Sequence, residues 1–258
     1  MVRLRRHADD LSYAAGLLCG LGVLVVGGFV QYREHLGSAT DFTLFWAGSR
    51  ALVEGIDPYS PATYHALLAR YTTPTEAQVY GYAPWVAAAL LPLAWLPLPI
   101  ATDVWTFGTL LLAAFSLHAL LRAMLSGVPL AHGLLGFALL ASQPGIATFF
   151  SNQWGFLLVA AQATAVVSLR AGWPAGGLAM LVLLAKPQHF LFAGWAFVAA
   201  SVARNVRAFA AVAVAGVLAV VGAIVLVARR ELLGWIGLIV PDQVTRPPLL
   251  NDPAATTL

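Results

Sequence analysis

Residues 11–30 are twenty consecutive positions without a charged side chain, and they follow a short segment that carries Arg3, Arg5 and Arg6. As a helix, twenty residues rise about 30 Å, the thickness of a bilayer's hydrocarbon core. A backbone in lipid must satisfy its own hydrogen bonds, so this run is predicted to be a spanning helix. Basic flanks stay cytoplasmic, which puts the N-terminus inside. The run is longer than the apolar stretch of a signal peptide and many others follow it. It therefore reads as an uncleaved anchor, although Gly37-Ser38-Ala39 offers the small residues of a cleavage site.

Seven further apolar runs lie at about 85–99, 102–121, 130–149, 154–169, 173–186, 188–203 and 208–227, separated by Arg122, Arg170, Lys186 and the Arg204/Arg207 pair. With 60% hydrophobic and 10% charged residues and a mean hydropathy of +0.81, this is not a soluble domain. It is predicted to be an all-α, polytopic transmembrane helical bundle in the cell membrane. The net charge of +3 comes from few charges on an uncharged background, so nucleic acid is not an expected partner. One cysteine, Cys19, excludes an intrachain disulfide and a paired-cysteine metal site.

Topology turns on whether 85–99 crosses. The fourteen basic residues divide equally between the two faces in either case, so the positive-inside rule does not decide. Fifteen residues containing Pro92, Pro97 and Pro99 make a short, broken helix, suited to an interfacial or re-entrant piece. The expectation is thus about seven crossings. The N-terminus at 1–10 is cytoplasmic, the first transmembrane helix is 11–30, and an outer loop with interfacial helices fills 31–100. A helical bundle occupies 101–228. Residues 229–258 lose the apolar pattern among Pro241, Pro247, Pro248 and Pro253, and read as a C-terminal outer loop cut short, without a further helix.

The outer loop is where chemistry is expected, because Glu34, Asp41, Glu54, Asp57 and Glu76 put five of the eleven acidic residues there. Residues 41–54 read as an amphipathic helix closed by Gly55, with Asp41 as its N-cap and Arg50 placed to pair with Glu54 at i,i+4. A carboxylate at such a position can also accept a proton. Asp57-Pro58-Tyr59 turns the chain. Ser60-Pro61 then opens a second short helix, through about Tyr71.

Two polar breaks interrupt the bundle. Lys186, the chain's only lysine, sits with Gln188 and His189 after a run whose fourteen residues, about 21 Å as an α-helix, fall short of the membrane thickness. The lysine either snorkels to the headgroups or serves a site; Gln188 and His189 make a polar cluster that snorkelling does not require. The second break, Ser151-Asn152-Gln153, offers hydrogen-bonding groups for sugar hydroxyls or solvates its own turn. His118, His132 and Asp103 look isolated. No metal-ligand spacing, phosphate loop or nucleophile elbow occurs, so the cofactor is unknown, with a divalent metal left open.

Taken in order, Asp41-Phe42, Glu54-Gly55, Asp57-Pro58-Tyr59, Tyr82-Ala83-Pro84, Leu96-Pro97, Asn152-Gln153 and Leu184-Ala185-Lys186-Pro187-Gln188 resemble glycosyltransferase family 87, of the GT-C superfamily, over about residues 38–205. The resemblance implies a GT-C-like core of seven crossings. It also implies transfer of a hexose, typically mannose, from a polyprenyl-phosphate donor to a hydroxyl of a lipid or glycan acceptor at the outer face, with inversion. It makes Asp41 the base or acceptor-orienting carboxylate and Lys186, Pro187 and Gln188 the turn that holds the lipid phosphate. Tyr59, Tyr82, Arg50, Asn152, Gln153 and His189 are the remaining candidate substrate contacts. Two motifs depart from the family's pattern: its Gly-Gln turn reads Asn152-Gln153, and its Tyr-Pro-Pro reads Tyr82-Ala83-Pro84. The competing expectation is a non-catalytic membrane protein, either a transporter subunit or an envelope scaffold, or an inactive truncated transferase. A transporter would show paired inverted repeats, and no convincing repeat is present.

Overall fold

A computed structural model describes residues 2–34, 40–73, 80–185, 207–227 and 233–237. Every regular element among them is helical. In chain order these are α1 (Val2–Glu34), α2 (Asp41–Val53), α3 (Pro61–Leu68), α4 (Pro84–Ala89), α5 (Leu91–Ala94), α6 (Leu98–Met124), α7 (Pro129–Ala141), α8 (Gln143–Phe150), α9 (Gly155–Ala171), a 3₁₀ helix (Pro174–Ala185) and α10 (Arg207–Val227). Two are long and apolar enough to cross a membrane: α1, through Arg6–Val26, and α6. Helices α7 and α8 together make a third candidate, bent by 44°. The expected run at 188–203 lies outside the described residues.

Helix α1 packs along α7, and small residues allow it. A Cβ on Gly16 would lie 2.0 Å from the Gly133 carbonyl oxygen, and one on Gly136 would lie 2.8 Å from the Tyr13 carbonyl oxygen. Lipid supplies no hydrophobic force between helices, so close backbone approach and interhelical hydrogen bonds must hold such a pair. Both are present: the Ser12 hydroxyl donates to the Pro129 carbonyl at 2.6 Å, and Tyr13 donates to the Ala114 carbonyl of α6 at 2.8 Å. Helix α6 in turn lies along α9.

Three departures from the sequence expectations have local causes. The run at 130–149 is two helices, because Ser142 caps the second by accepting the Gly145 N–H at 3.2 Å while Pro144 sits in its first turn. The run at 173–186 is 3₁₀ up to Ala185, so its twelve residues cover about 24 Å at ~2.0 Å per residue. It wedges between α9 and α10. The histidines are not isolated either. His118 pairs with Asp10 at 3.0 Å and stacks on Tyr13, and the fully buried His132 meets its ring edge to face at 5.8 Å. Residues 108 positions apart form that hydrogen bond, which no local spacing could reveal.

The stretch at 85–99 is two short helices, α4 and α5, followed by the first residues of α6. They lie across α2 and form a floor: the Trp46 indole donates to the Leu93 carbonyl at 3.0 Å, and Arg50 to the Ala94 carbonyl at 3.1 Å.

Candidate active site

Helix α2 carries the acidic end of the site. Asp41 is its first residue, and Thr40, not Asp41, is the N-cap. This corrects the capping expectation, and it leaves Asp41 in the first turn, where a carboxylate complements the helix dipole. The helix ends as expected, at Gly55, whose φ of +68° suits a residue without a Cβ. Its buried face, Phe42, Phe45, Trp46 and Ser49, enters an aromatic cluster with Trp105, Trp154, Tyr59, Tyr64, Tyr80 and Tyr82. Gly48 admits the Tyr80 ring, which would stand only 2.1 Å from a Cβ there.

One backbone hydrogen bond ties this helix to the bundle: the Asp41 N–H donates to the Ser151 carbonyl at 3.0 Å. The next residue, Asn152, is left-handed at φ +52° and buried. Its side-chain oxygen accepts the Thr106 hydroxyl, and its carbonyl accepts the Trp105 indole N–H at 3.1 Å. Both partners sit on α6, so the Ser151-Asn152 turn fixes the start of α2 against α6 and α9. The amide oxygen of Asn152 is thereby engaged within the protein. Gln153 is half-buried, and its N–H donates to the Thr148 carbonyl at 3.0 Å.

Tyr82 stands across from Asp41. Its ring meets Phe45 edge to face at 4.9 Å, and its carbonyl accepts the Tyr59 hydroxyl at 2.9 Å. Burial first, and then the Asp41 charge, push the Tyr82 hydroxyl well above its ordinary range, so it stays a neutral donor. The Tyr59 hydroxyl, spent on this bond, acts as a strut. Two buried donors in the same cluster, the Tyr80 hydroxyl and the Trp154 indole N–H, have no partner among the described residues. Such groups in a native interior are usually satisfied by water or ligand.

Arg50 is not brought to Asp41. Nine residues along α2 separate them by about 13 Å, and Arg50 binds Glu54 at 2.8 Å besides the Ala94 carbonyl. Arg70 meets the other Glu54 oxygen at 2.8 Å. These hydrogen bonds hold the Glu54 carboxyl below its ordinary value of 4.5. Lys186, Gln188 and His189 lie outside the described residues. Ala185, which precedes Lys186, packs against the same cluster as Tyr82 and Trp154.

Trp105, Thr106, Trp154 and Trp235 were missed by the sequence reading. The first three sit in or beside apolar runs with no motif spacing, and only their hydrogen-bonding capacity within such runs marked them. Trp235 corrects the expectation of a helix-free C-terminal segment: 233–237 is helical, its indole donates to the Gly81 carbonyl at 3.3 Å, and its ring meets Trp85 at 5.5 Å.

Among the described residues no group of three or more metal-ligating side chains occurs. No curated protein and no solved structure matches the chain. The model of glycosyltransferase family 87 matches residues 80–254, more than half of the sequence, and takes in Tyr82, the Asn152 turn and Trp235 while leaving out Asp41. On that match, and with helices apolar and long enough to span a bilayer, the chain belongs to glycosyltransferase family 87 and is a membrane glycosyltransferase.

Proposed function

We propose that the chain transfers a hexose, most simply mannose, from a polyprenyl-phosphate carrier to an acceptor hydroxyl, with inversion, at the outer face of the cell membrane. The fold proposed with it is a GT-C-type core of seven crossings, with α4 and α5 interfacial. The observation that carries the reading is the Asp41-to-Ser151 bond. It holds a carboxylate beside Tyr82 and above a turn that is itself pinned to the membrane-length helix α6.

In this reading the Asp41 carboxylate takes the acceptor hydroxyl proton as the oxygen forms its bond to the anomeric carbon. The bond from that carbon to the phosphate oxygen breaks, and the electron pair leaves with the polyprenyl phosphate. Negative charge grows on the phosphate, where Lys186 acts as a compact cation. Tyr82, held neutral, donates a hydrogen bond to the sugar or the acceptor. Asn152 and Tyr59 support this arrangement without touching the reacting atoms.

The test is transfer from a synthetic polyprenyl-phosphate hexose by purified protein in nanodiscs. Asp41→Asn should lower the rate by about 10²–10⁴-fold, the range for loss of a general base, with unchanged thermal unfolding. Loss of stability with the residual rate in proportion would make Asp41 a structural residue of α2 and end the catalytic assignment.

A further inference from the structure

About 24 Å along α6 from Thr106, sixteen residues on, the helix reaches Arg122 and a cavity. It has a volume of about 470 Å³ and is lined by Arg6, Phe115, His118, Ala119, Arg122, Ala123 and Ser126. Because α6 is a membrane-length helix, this cavity and the Asp41 site lie toward opposite leaflets.

The lining is divided by spacing. His118, Arg122 and Ser126 recur at four-residue intervals, as do Phe115, Ala119 and Ala123 beside them. On α6, which ends at Met124, His118 and Arg122 form one row and Phe115, Ala119 and Ala123 the next, with Ser126 in the turn that follows, so one wall of the cavity is cationic and the adjoining wall is apolar. Arg6 of α1 closes the polar side. No carboxylate lines the cavity. Two carboxylates lie behind the lining: Asp9 is buried and accepts the Gly127 N–H at 2.8 Å, and Asp10 is hydrogen-bonded to His118 at 3.0 Å and stands 3.8 Å from Arg122, too far for a strong hydrogen bond. Arg6, although at i,i+4 from Asp10, makes no ion pair among the described residues. Two guanidiniums are thus left with most of their donors unspent. Phe115, 71% exposed, continues the apolar row along the outer surface of α6.

From this division we infer that the cavity binds one anionic phospholipid, its phosphodiester on Arg6 and Arg122 and its acyl chain along Phe115, Ala119 and Ala123. A soluble anion would use the guanidiniums but gain nothing from the apolar row. A neutral lipid would use the row but leave the second arginine without a counter-charge. Basic pockets between spanning helices on the cytoplasmic side, whose leaflet is anionic, are the expected place for such headgroups. The geometry is independent of the proposed glycosyl transfer and needs only that α6 crosses.

Native mass spectrometry of the full chain in detergent, with phosphatidylglycerol or phosphatidylcholine of matched chains, tests this. One phosphatidylglycerol should be retained at least tenfold more tightly than phosphatidylcholine. An Arg6→Ala/Arg122→Ala variant should lose that preference. Ala123→Trp, which fills the apolar row and keeps both charges, should lose the bound lipid. Arg170→Ala, at the end of α9, should not change it. Equal retention of the two lipids, wild-type retention by the double variant, or displacement of the lipid by millimolar inorganic phosphate would each overturn the assignment. Should the double variant fold poorly, the Ala123→Trp result and the phosphate competition decide alone.

Discussion

At Asp41 the carboxylate and the backbone N–H do separate work, and substitutions can separate them. Asparagine keeps the N–H to Ser151 and removes the base, so Asp41→Asn tests chemistry with the anchor intact. Asn152→Ala does the reverse. It removes the acceptor of the buried Thr106 hydroxyl, costing about 1–3 kcal/mol, and leaves an alanine at φ +52°, a further ~1 kcal/mol. The expected result is a clear fall in unfolding temperature in detergent. Asn152→Gly, which relieves the backbone term and not the lost hydrogen bond, should recover part of it. Full stability in Asn152→Ala would show that the turn does not anchor α2. These residue roles were only partly readable from the sequence. Asn152 stood out as a polar turn residue, but Thr106 and Trp105 became its partners through helix packing, 46 and 47 positions away.

At the scale of elements, two contacts set how helices lie on one another. The far end of α2 is held by Glu54, bound by Arg50 and Arg70. Its carboxyl titrates below 4.5 in the folded protein, so the unfolded state binds the proton first. The pair therefore stabilises fully above pH ~4.5 and loses its contribution as pH falls through the lower, folded value. Unfolding followed between pH 6 and 3 should show a steeper acid loss in wild type than in Glu54→Gln; identical profiles would show that the network adds nothing. Along α1, Gly16→Leu should break the α1–α7 contact by more than ~3 kcal/mol, since no rotamer removes the Cβ from the Gly133 carbonyl. Gly22→Leu, with nothing within 4 Å of its added Cβ, should be near neutral by the same thermal assay. The Arg50–Glu54 pair and the Gly55 stop follow from helix periodicity alone. The Arg70 contact, the Trp46 and Arg50 bonds to α5, and the 3₁₀ winding of Pro174–Ala185 depend on neighbouring helices.

Over the whole molecule, the proposed seven-crossing topology puts positions 41 and 186 on the outer face and 122 inside. Single cysteines there, in a background with Cys19 replaced, should label with a membrane-impermeant reagent in intact cells at 41 and 186 and not at 122. Labelling at 41 and 122 but not 186 would separate aspartate from lysine by the bilayer and end the proposed site. That outcome would also put the Thr106 and Arg122 ends of α6 on one side and end the phospholipid inference, which needs α6 to cross.

What the sequence by itself determined is helical class and membrane character, because an apolar run of membrane length has only one way to satisfy its backbone in lipid. It also marked Asp41, Tyr82 and the Asn152 turn as polar groups in unusual places. Only the tertiary structure decided that Asp41 begins its helix instead of capping it, that Arg50 also binds the α5 floor, and that His118 belongs to Asp10. Each of these depends on which atoms helices distant in sequence bring within 3 Å, and residue spacing along one chain carries no record of that.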